Sequence, residues 1–130
     1  MTPTKSSARA RTSRFRVKRI YEPAATDDGF RVLVDRLWPR GVAKTKAHID
    51  LWLKDVAPSD ELRHRFHDHP EKWDAFVAAY GRELEQEPAK SAAASLRERA
   101  RREPVTLLYA ARDESHNNAV ALKDLLEQRD

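Results

Sequence analysis

The side chains best suited to chemistry in this 130-residue chain follow an apolar run. They lie in the segment Asp-Arg-Leu-Trp-Pro-Arg-Gly over 35–41. Arg36 and Arg40 present planar forks of donors that suit a phosphate or a carboxylate, and Trp38 offers an aromatic face for stacking. Asp35 could orient an arginine, act as a base or bind a ribose hydroxyl. The segment therefore indicates a small-anion site; the plainer alternative is a buried ion pair between Asp35 and one arginine that anchors the loop.

A second polar group follows another apolar run. Tyr109 ends that run, Arg112 comes three residues later, and Asn117 and Asn118 stand where a helix should begin. The free N–H groups and positive dipole end of a helix N-terminus favour anions, and Arg112 adds charge. Simple capping by Ser115 or Asn117 is the alternative. The case for a binding role of this second group becomes stronger if the fold brings it to the same pocket as the first segment.

Three histidines, His64, His67 and His69, surround Asp68. Imidazole binds metals, and two histidines three residues apart share a face of a helix. Solvated or structural histidines explain the pattern more simply, so no metal site is predicted, although metal use by these residues stays open. His67 could instead act as a general acid or base beside the pocket. With Asp35 it forms the candidate catalytic pair.

The sheet that must position these groups is built from two buried runs. Val32–Val34 is too apolar for a half-exposed strand, which predicts a central strand over Phe30–Leu37. Val105–Ala110 predicts the second. Phe15–Ile20 is predicted as a first strand. A basic loop over residues 38–49 follows the strand at Phe30–Leu37, and Ile49–Val56 is a possible short strand after that loop.

Helical patterns lie between and after these strands. Ser59 is an N-cap for a helix that runs to about Asp68, and Pro70 is placed as the first residue of the next. Further helices are predicted over 89–102 and 117–128. This order favours a small three-layer α/β fold, with a mostly parallel sheet of about four strands flanked by helices. Ligands of such sheets bind beyond the carboxyl ends of the strands, where both polar groups lie.

Composition narrows the function classes. The net charge of +4 comes from residues 1–14, which carry four basic residues and no acid, so the remainder balances 21 bases against 21 acids. The expectation is a disordered basic tail followed by one domain over 15–130. No run is long enough to span a membrane, none resembles a signal peptide, and there are no cysteines, which together favour a cytoplasmic location. Three glycines cannot build a Gly-rich phosphate loop.

Several motifs resemble one known family. The run Arg31-Val-Leu-Val-Asp-Arg-Leu-Trp-Pro-Arg-Gly41 is similar to the signature of the YeaO-like proteins, the family of domain of unknown function 488. Other matching motifs, in chain order, are Lys18–Pro23, Pro58-Ser59, Glu61–Arg63, Phe66-His67, Phe76, Tyr80, Glu83-Leu84, Thr106–Tyr109 and Asn117. The resemblance implies a small cytoplasmic α/β protein of bacterial type. It does not specify a reaction. It also implies a shortlist of site residues: Asp35, Arg36, Trp38, Arg40, Ser59, Arg63, His67, Tyr109 and Asn117.

Two functions fit these residues. The first is a pocket for a small phosphate-bearing, nucleotide-like anion on the Asp35–Arg40 loop, in a binding protein or in a hydrolase or transferase. The second is a non-enzymatic module that binds nucleic acid or protein through the basic loop over 36–48 and the N-terminal arm. Because the folded part is neutral, nucleic acid ranks second. Whether a cofactor is used is left open, a membrane partner is not expected, and the oligomeric state is left open.

Overall fold

The structure is a computed structural model that describes residues 14–128. The predicted disordered tail over 1–14 lies outside this range except for its last residue. In chain order the elements are β1 (Phe15–Arg19), β2 (Phe30–Leu33), β3 (Leu51–Trp52), α1 (Asp60–Asp68), α2 (Trp73–Glu83), α3 (Ala89–Ala100), β4 (Val105–Tyr109) and α4 (Asn118–Gln128). Within the described residues, no helix combines the length and the apolar character that a membrane crossing requires.

The four strands form one parallel sheet in the order β1-β4-β2-β3. Strand β4 is central: it pairs with β1 from Phe15↔Val105 to Arg19↔Tyr109 and with β2 from Phe30↔Val105 onward. All five residues of β4 are buried, as the apolar run predicts. The predicted α/β class, with a parallel sheet of about four strands and helices packed against it, is confirmed.

The two faces of the sheet are covered differently. All four helices contribute to a core against the face that carries Val32 and Leu107. The opposite face carries Leu33 and Leu108, and it is covered mainly by Trp38, Val42 and Ile49 of the connection between β2 and β3, together with Trp52 of β3. The layer on this second face is therefore an irregular segment with a short 3₁₀ helix at Lys44–Lys46, whereas the sequence pattern led us to expect helices.

Several predicted boundaries are corrected by the structure. Strand β2 ends at Leu33 instead of Leu37, and the possible strand over 49–56 is reduced to β3, which is followed by a 3₁₀ helix at Lys54–Val56. Pro70 does not begin a helix. A turn in which the Lys72 N–H bonds the His69 carbonyl (3.0 Å) takes up residues 70–72, so α2 begins at Trp73.

A buried ion-pair network closes the amino edge of the sheet. Asp28 accepts hydrogen bonds from Lys18 Nζ (2.9 Å) and from Arg31, which also donates to the carbonyls of Ala47 and His48. Burial acts to raise the pKa of Asp28, but hydrogen bonds from Lys18, the Ala25 N–H and Arg31 outweigh it, and the pKa lies below its ordinary value. The charges of this edge are thus satisfied internally.

Gly29, at the start of β2, tests how tightly this edge is packed. Its φ is +68°, and a Cβ there would lie 2.2 Å from the Pro104 carbonyl oxygen, to which the Phe30 N–H bonds. We expect Gly29→Ala to lower the free energy of unfolding by about 3 kcal/mol, through backbone strain plus the clash, as measured by urea denaturation.

Gly41→Ala is the matched control. Gly41 also has a positive φ, +79°, but open space surrounds the position a Cβ would take. The substitution should cost only the strain of a left-handed residue, about 1 kcal/mol. Equal effects of the two substitutions would contradict a role for the contact with Pro104.

Candidate functional site

A cavity of about 720 Å³ opens at the carboxyl edge of the sheet. Its wall combines the residues that follow β2 and β4 with side chains of α1 and the start of α4. Seven of the nine shortlisted residues line it: Asp35, Arg36, Trp38, Arg40, Arg63, His67 and Asn117. The two polar segments that follow the central strands therefore do converge on one pocket, as their positions predict.

Asp35 joins the elements around the cavity. Its Oδ2 accepts the Ala110 N–H just after β4 (2.9 Å), and its Oδ1 accepts the Asn118 side-chain amide at the start of α4 (3.0 Å). Its backbone carbonyl accepts Trp52 Nε1 of β3 (2.8 Å). The carboxylate takes the place of a ladder carbonyl opposite Ala110, which explains why β2 ends before it. The hydrogen-bond partners of the carboxylate are thus an amide and a backbone N–H, and none of the arginines between residues 14 and 128 donates to it.

The environment of Asp35 opposes its ionisation. Burial raises the pKa of this carboxyl above its ordinary value, although the hydrogen bonds from Asn118 and Ala110 and the charge of Arg63 act in the other direction. A carboxyl held this way can exchange a proton closer to neutral pH than an exposed aspartate can. Both of its oxygens already have partners, however, so its clearest role is to brace the site.

Three arginines give the cavity its positive charge. Arg36 donates to the carbonyls of Ala57 (3.2 Å) and Pro58 (3.2–3.3 Å), which fixes its guanidinium. Arg63 donates from Nη2 to Asp60 (3.1 Å). Arg40 lies exposed at the mouth, and within residues 14–128 its guanidinium has no partner.

Aromatic and apolar side chains form the rest of the wall. The Phe66 ring stacks on Phe76 at 4.5 Å, and both line the cavity. Trp38 donates from Nε1 to the Val42 carbonyl (2.7 Å) and meets Trp52 edge-on at 5.3 Å, so part of its ring belongs to the core of the second sheet face. The cavity therefore has cationic and aromatic portions side by side.

Asn117 and Asn118 organise the start of α4. Asn117 is buried, its Oδ1 accepts the Val120 N–H (2.9 Å), and its amide donates to the Asp113 carbonyl (2.9 Å). Asn118 uses its amide to hold Val34 and Asp35. Asn117 thus caps the helix, as the alternative reading proposed, while lining the cavity as well.

Ser59 and Tyr109 do not line the cavity. Ser59 is the N-cap of α1, as predicted: its Oγ accepts the Leu62 N–H (3.1 Å) and donates to Glu83 (2.6 Å). Tyr109 is buried in the main core, where burial raises the pKa of its hydroxyl. The contacts of Ser59 and Tyr109 therefore stabilise the fold and do not form part of the cavity wall.

Of the three clustered histidines, only His67 lines the cavity. His67 is exposed, and among the described residues its side chain makes no hydrogen bond or ion pair. His69 is the C-cap of α1 and approaches Glu71, and neither His69 nor His64 lines the cavity. No group of three or more His, Cys, Asp or Glu side chains that could hold a metal occurs between residues 14 and 128.

Several wall residues were not predicted from the sequence as site residues. Tyr21 donates its hydroxyl to the Arg40 carbonyl (2.8 Å), and His116 meets Trp73 edge-on at 4.9 Å beside the cavity. Phe66 carried a detectable signal, since it lies three residues after Arg63 and therefore on the same face of α1. Contacts such as that of Tyr21 join distant segments and have no local signature.

The family whose model matches the chain is described as the inactive DUF488-N3 subclade, and the match covers residues 14–130. An uncharacterised protein of Mycobacterium tuberculosis is 44% identical over 119 residues, which cover 92% of this chain and 98% of the relative. The uncharacterised protein YeaO of Escherichia coli is 43% identical over 109 residues, covering 84% and 93%. No solved structure gives a significant match.

Asp35→Asn tests the brace at the carboxyl edge. The amide nitrogen of asparagine cannot accept a hydrogen bond, so either the Ala110 N–H or the Asn118 amide loses its acceptor. We expect the free energy of unfolding to fall by about 1–3 kcal/mol, as measured by urea denaturation.

The pH dependence of this loss has a defined sign. Burial raises the pKa of Asp35 in the folded state, so its contribution to stability is complete below the unfolded pKa and declines as the pH rises through the folded pKa. The difference between wild type and Asp35→Asn should be largest below pH 3.8, the ordinary pKa of an aspartate, and smaller at pH 7. Asp113→Asn is the control of opposite sign. The backbone N–H groups of Ser115 and His116 lower the pKa of Asp113, so its contribution is lost as the pH falls. Parallel profiles for the two variants would contradict the assignment.

Proposed function

This chain belongs to the DUF488 family, in the subclade described as inactive, and we propose that it binds a small phosphate-bearing, nucleotide-like ligand without turning it over. The observation that carries the proposal is the convergence of Arg36, Arg40 and Arg63 on one cavity at the carboxyl edge of the parallel sheet. Guanidinium forks match phosphate geometry, and this edge is where ligands bind in such sheets.

The charge balance of the wall favours an anion. Two carboxylates, those of Asp35 and Asp113, line the cavity together with the three arginines. The oxygens of Asp35 face internal donors, and the Oδ1 of Asp113 accepts the N–H groups of Ser115 and His116. Hydrogen-bond donors of the protein therefore already contact both carboxylates, whereas the guanidinium of Arg40 has no acceptor within the described residues. A phosphate would supply the missing acceptors.

Binding without turnover is supported by the chemistry of the wall. The lining residues include no serine, threonine, cysteine or lysine to act as a nucleophile. His67 has no carboxylate to orient it, and the oxygens of Asp35 are already engaged. The word "inactive" in the description of the family points the same way. A hydrolase or transferase would have to rely on His67 or Asp35, the candidate catalytic pair, or on His116, whose Nδ1 lies 3.6 Å from Asp113 Oδ2 in the same wall.

The alternative, a nucleic-acid-binding module, has one observation of its own. Lys44 lies over the Trp38 ring at 5.6 Å and Lys54 over the Trp52 ring at 4.1 Å, on the sheet face away from the helices. Cations beside aromatic rings are typical of surfaces that bind single strands. Here the lysines and the edge contact between the two tryptophans occupy the ring faces, so a base would have to displace them. A protein partner has no comparable support.

Arg40→Ala tests the anion pocket. A thermal-shift screen of nucleoside monophosphates and sugar phosphates should raise the midpoint of wild type, and titration calorimetry then gives the dissociation constant. We expect Arg40→Ala to weaken binding about fivefold, equivalent to about 1 kcal/mol for an exposed cation, without changing the midpoint of the free protein.

Arg102→Ala is the matched control, because Arg102 is equally exposed but precedes β4 at the opposite edge of the sheet. It should leave the dissociation constant unchanged. No stabilisation by any compound, combined with steeply salt-dependent binding of a single-stranded oligonucleotide, would favour the alternative. Release of inorganic phosphate from a bound compound, lost in His67→Gln, would establish turnover instead.

A further inference from the structure

We infer that Arg63 seats the phosphate of the ligand through its buried Nε–H, with Arg36 as the second cation, and that the organic part of the ligand lies along Phe66. This inference rests on the proposed function. Its central observation is that Arg63 Nε is buried and has no hydrogen-bond partner among the described residues, although the side chain as a whole is 43% exposed.

The neighbouring contacts hold Arg63 in this position. Its Nη2 donates to Asp60 Oδ1, and the same oxygen lies 3.8 Å from Arg36 Nε. Asp60 does not line the cavity, whereas both arginines do. One carboxylate outside the cavity thus holds two guanidinium groups next to each other, and the Ala57 and Pro58 carbonyls fix the second. Two like charges so close together are favourable for binding a doubly charged group between them.

A buried donor without an acceptor lowers the stability of a fold. Most buried polar groups are paired, and an unpaired one at a site is the kind of exception that a ligand explains. Arg63 Nε has almost no exposed surface, so a phosphate oxygen supplies the acceptor it lacks only after a small shift of the exposed end of the side chain uncovers this atom. Arg40 differs in this respect: it is exposed at the mouth, where water solvates it, so its contribution to affinity is expected to be smaller.

The position of Arg63 on α1 also orients the rest of the ligand. Phe66 and His67 follow it by three and four residues, so they lie on the same helix face and line the same cavity. The Phe66 ring is backed by Phe76, which holds it in place. A ligand whose phosphate meets Arg63 would therefore lay a flat group against Phe66. The ligand class is a phosphate monoester that carries an aromatic ring, which should bind more tightly than inorganic phosphate.

Arg63→Lys is the test, because lysine keeps the charge and most of the stem but has no Nε–H fork. The probes are AMP, GMP, CMP, UMP and inorganic phosphate, titrated by calorimetry against the full chain. For the best-binding monophosphate we expect Arg63→Lys to weaken binding at least tenfold, while the thermal midpoint of the free protein stays equal or rises. Phe66→Leu should weaken the monophosphate and leave inorganic phosphate unchanged.

Arg65→Lys is the matched control on the same helix, since Arg65 is exposed and pairs with Glu61 outside the cavity; it should change binding less than twofold. If a monophosphate binds wild type and Arg63→Lys binds it equally well, the inference is overturned and the proposed function stands. A lowered midpoint in Arg63→Lys that accounts for the lost affinity would assign Arg63 a structural role and also overturn it. If none of the five probes binds wild type, the proposed function fails together with the inference.

Discussion

The hydrogen bonds of the Asp35 carboxylate hold the carboxyl edge of the sheet together, and the cavity is built on that edge. Through them the end of β2 is joined to the residue after β4 and to the first residue of α4, while the Asp35 carbonyl holds Trp52 of β3. Burying a carboxylate is unfavourable unless donors compensate it, and here the Ala110 N–H and the Asn118 amide supply the compensation. The loop that carries Arg36 and Arg40 begins at this braced point, so its position follows from the brace.

The two edges of the sheet treat charge in opposite ways. At the amino edge, Lys18 and Arg31 meet Asp28, and the remaining donors of Arg31 are satisfied by backbone carbonyls. At the carboxyl edge, Arg40 has no partner and one nitrogen of Arg63 has none, within the part of the chain that the structure describes. Under the proposed function, a bound phosphate would supply the acceptors that Arg40 and Arg63 lack at the carboxyl edge.

The sequence predicted the central strands and the position of the site because both depend on local patterns. Val32–Val34 is an uninterrupted apolar run, and Val105–Tyr109 is apolar except for Thr106. Asp35 directly follows the first run, and Arg112 comes three residues after the second. The role of Asp35 depends on contacts with residues 75 and 83 positions away, which no local pattern reveals. For the same reason, the cover of the second sheet face by the connection between β2 and β3 was missed. Pro70 was misplaced because a proline fits a tight turn as well as a first helical turn.

The composition of the cavity wall bears on how binding and turnover can separate in one fold. Cations and aromatic rings bind a phosphate ester by charge and stacking, and they do so without a group that attacks phosphorus or carbon. Of the candidate catalytic pair, Asp35 accepts two hydrogen bonds that hold the edge together, and His67 lacks an orienting partner among the described residues. His116 lies near Asp113 in the same wall, but Asp113 Oδ1 already accepts two backbone N–H groups. Catalysis needs groups held in a defined geometry relative to the reacting atoms, whereas binding needs only complementary charge and shape. The wall meets the requirement for binding with residues that the Asp35 hydrogen bonds and α1 hold in place. For this reason, a binding role follows more directly from the geometry than a catalytic one.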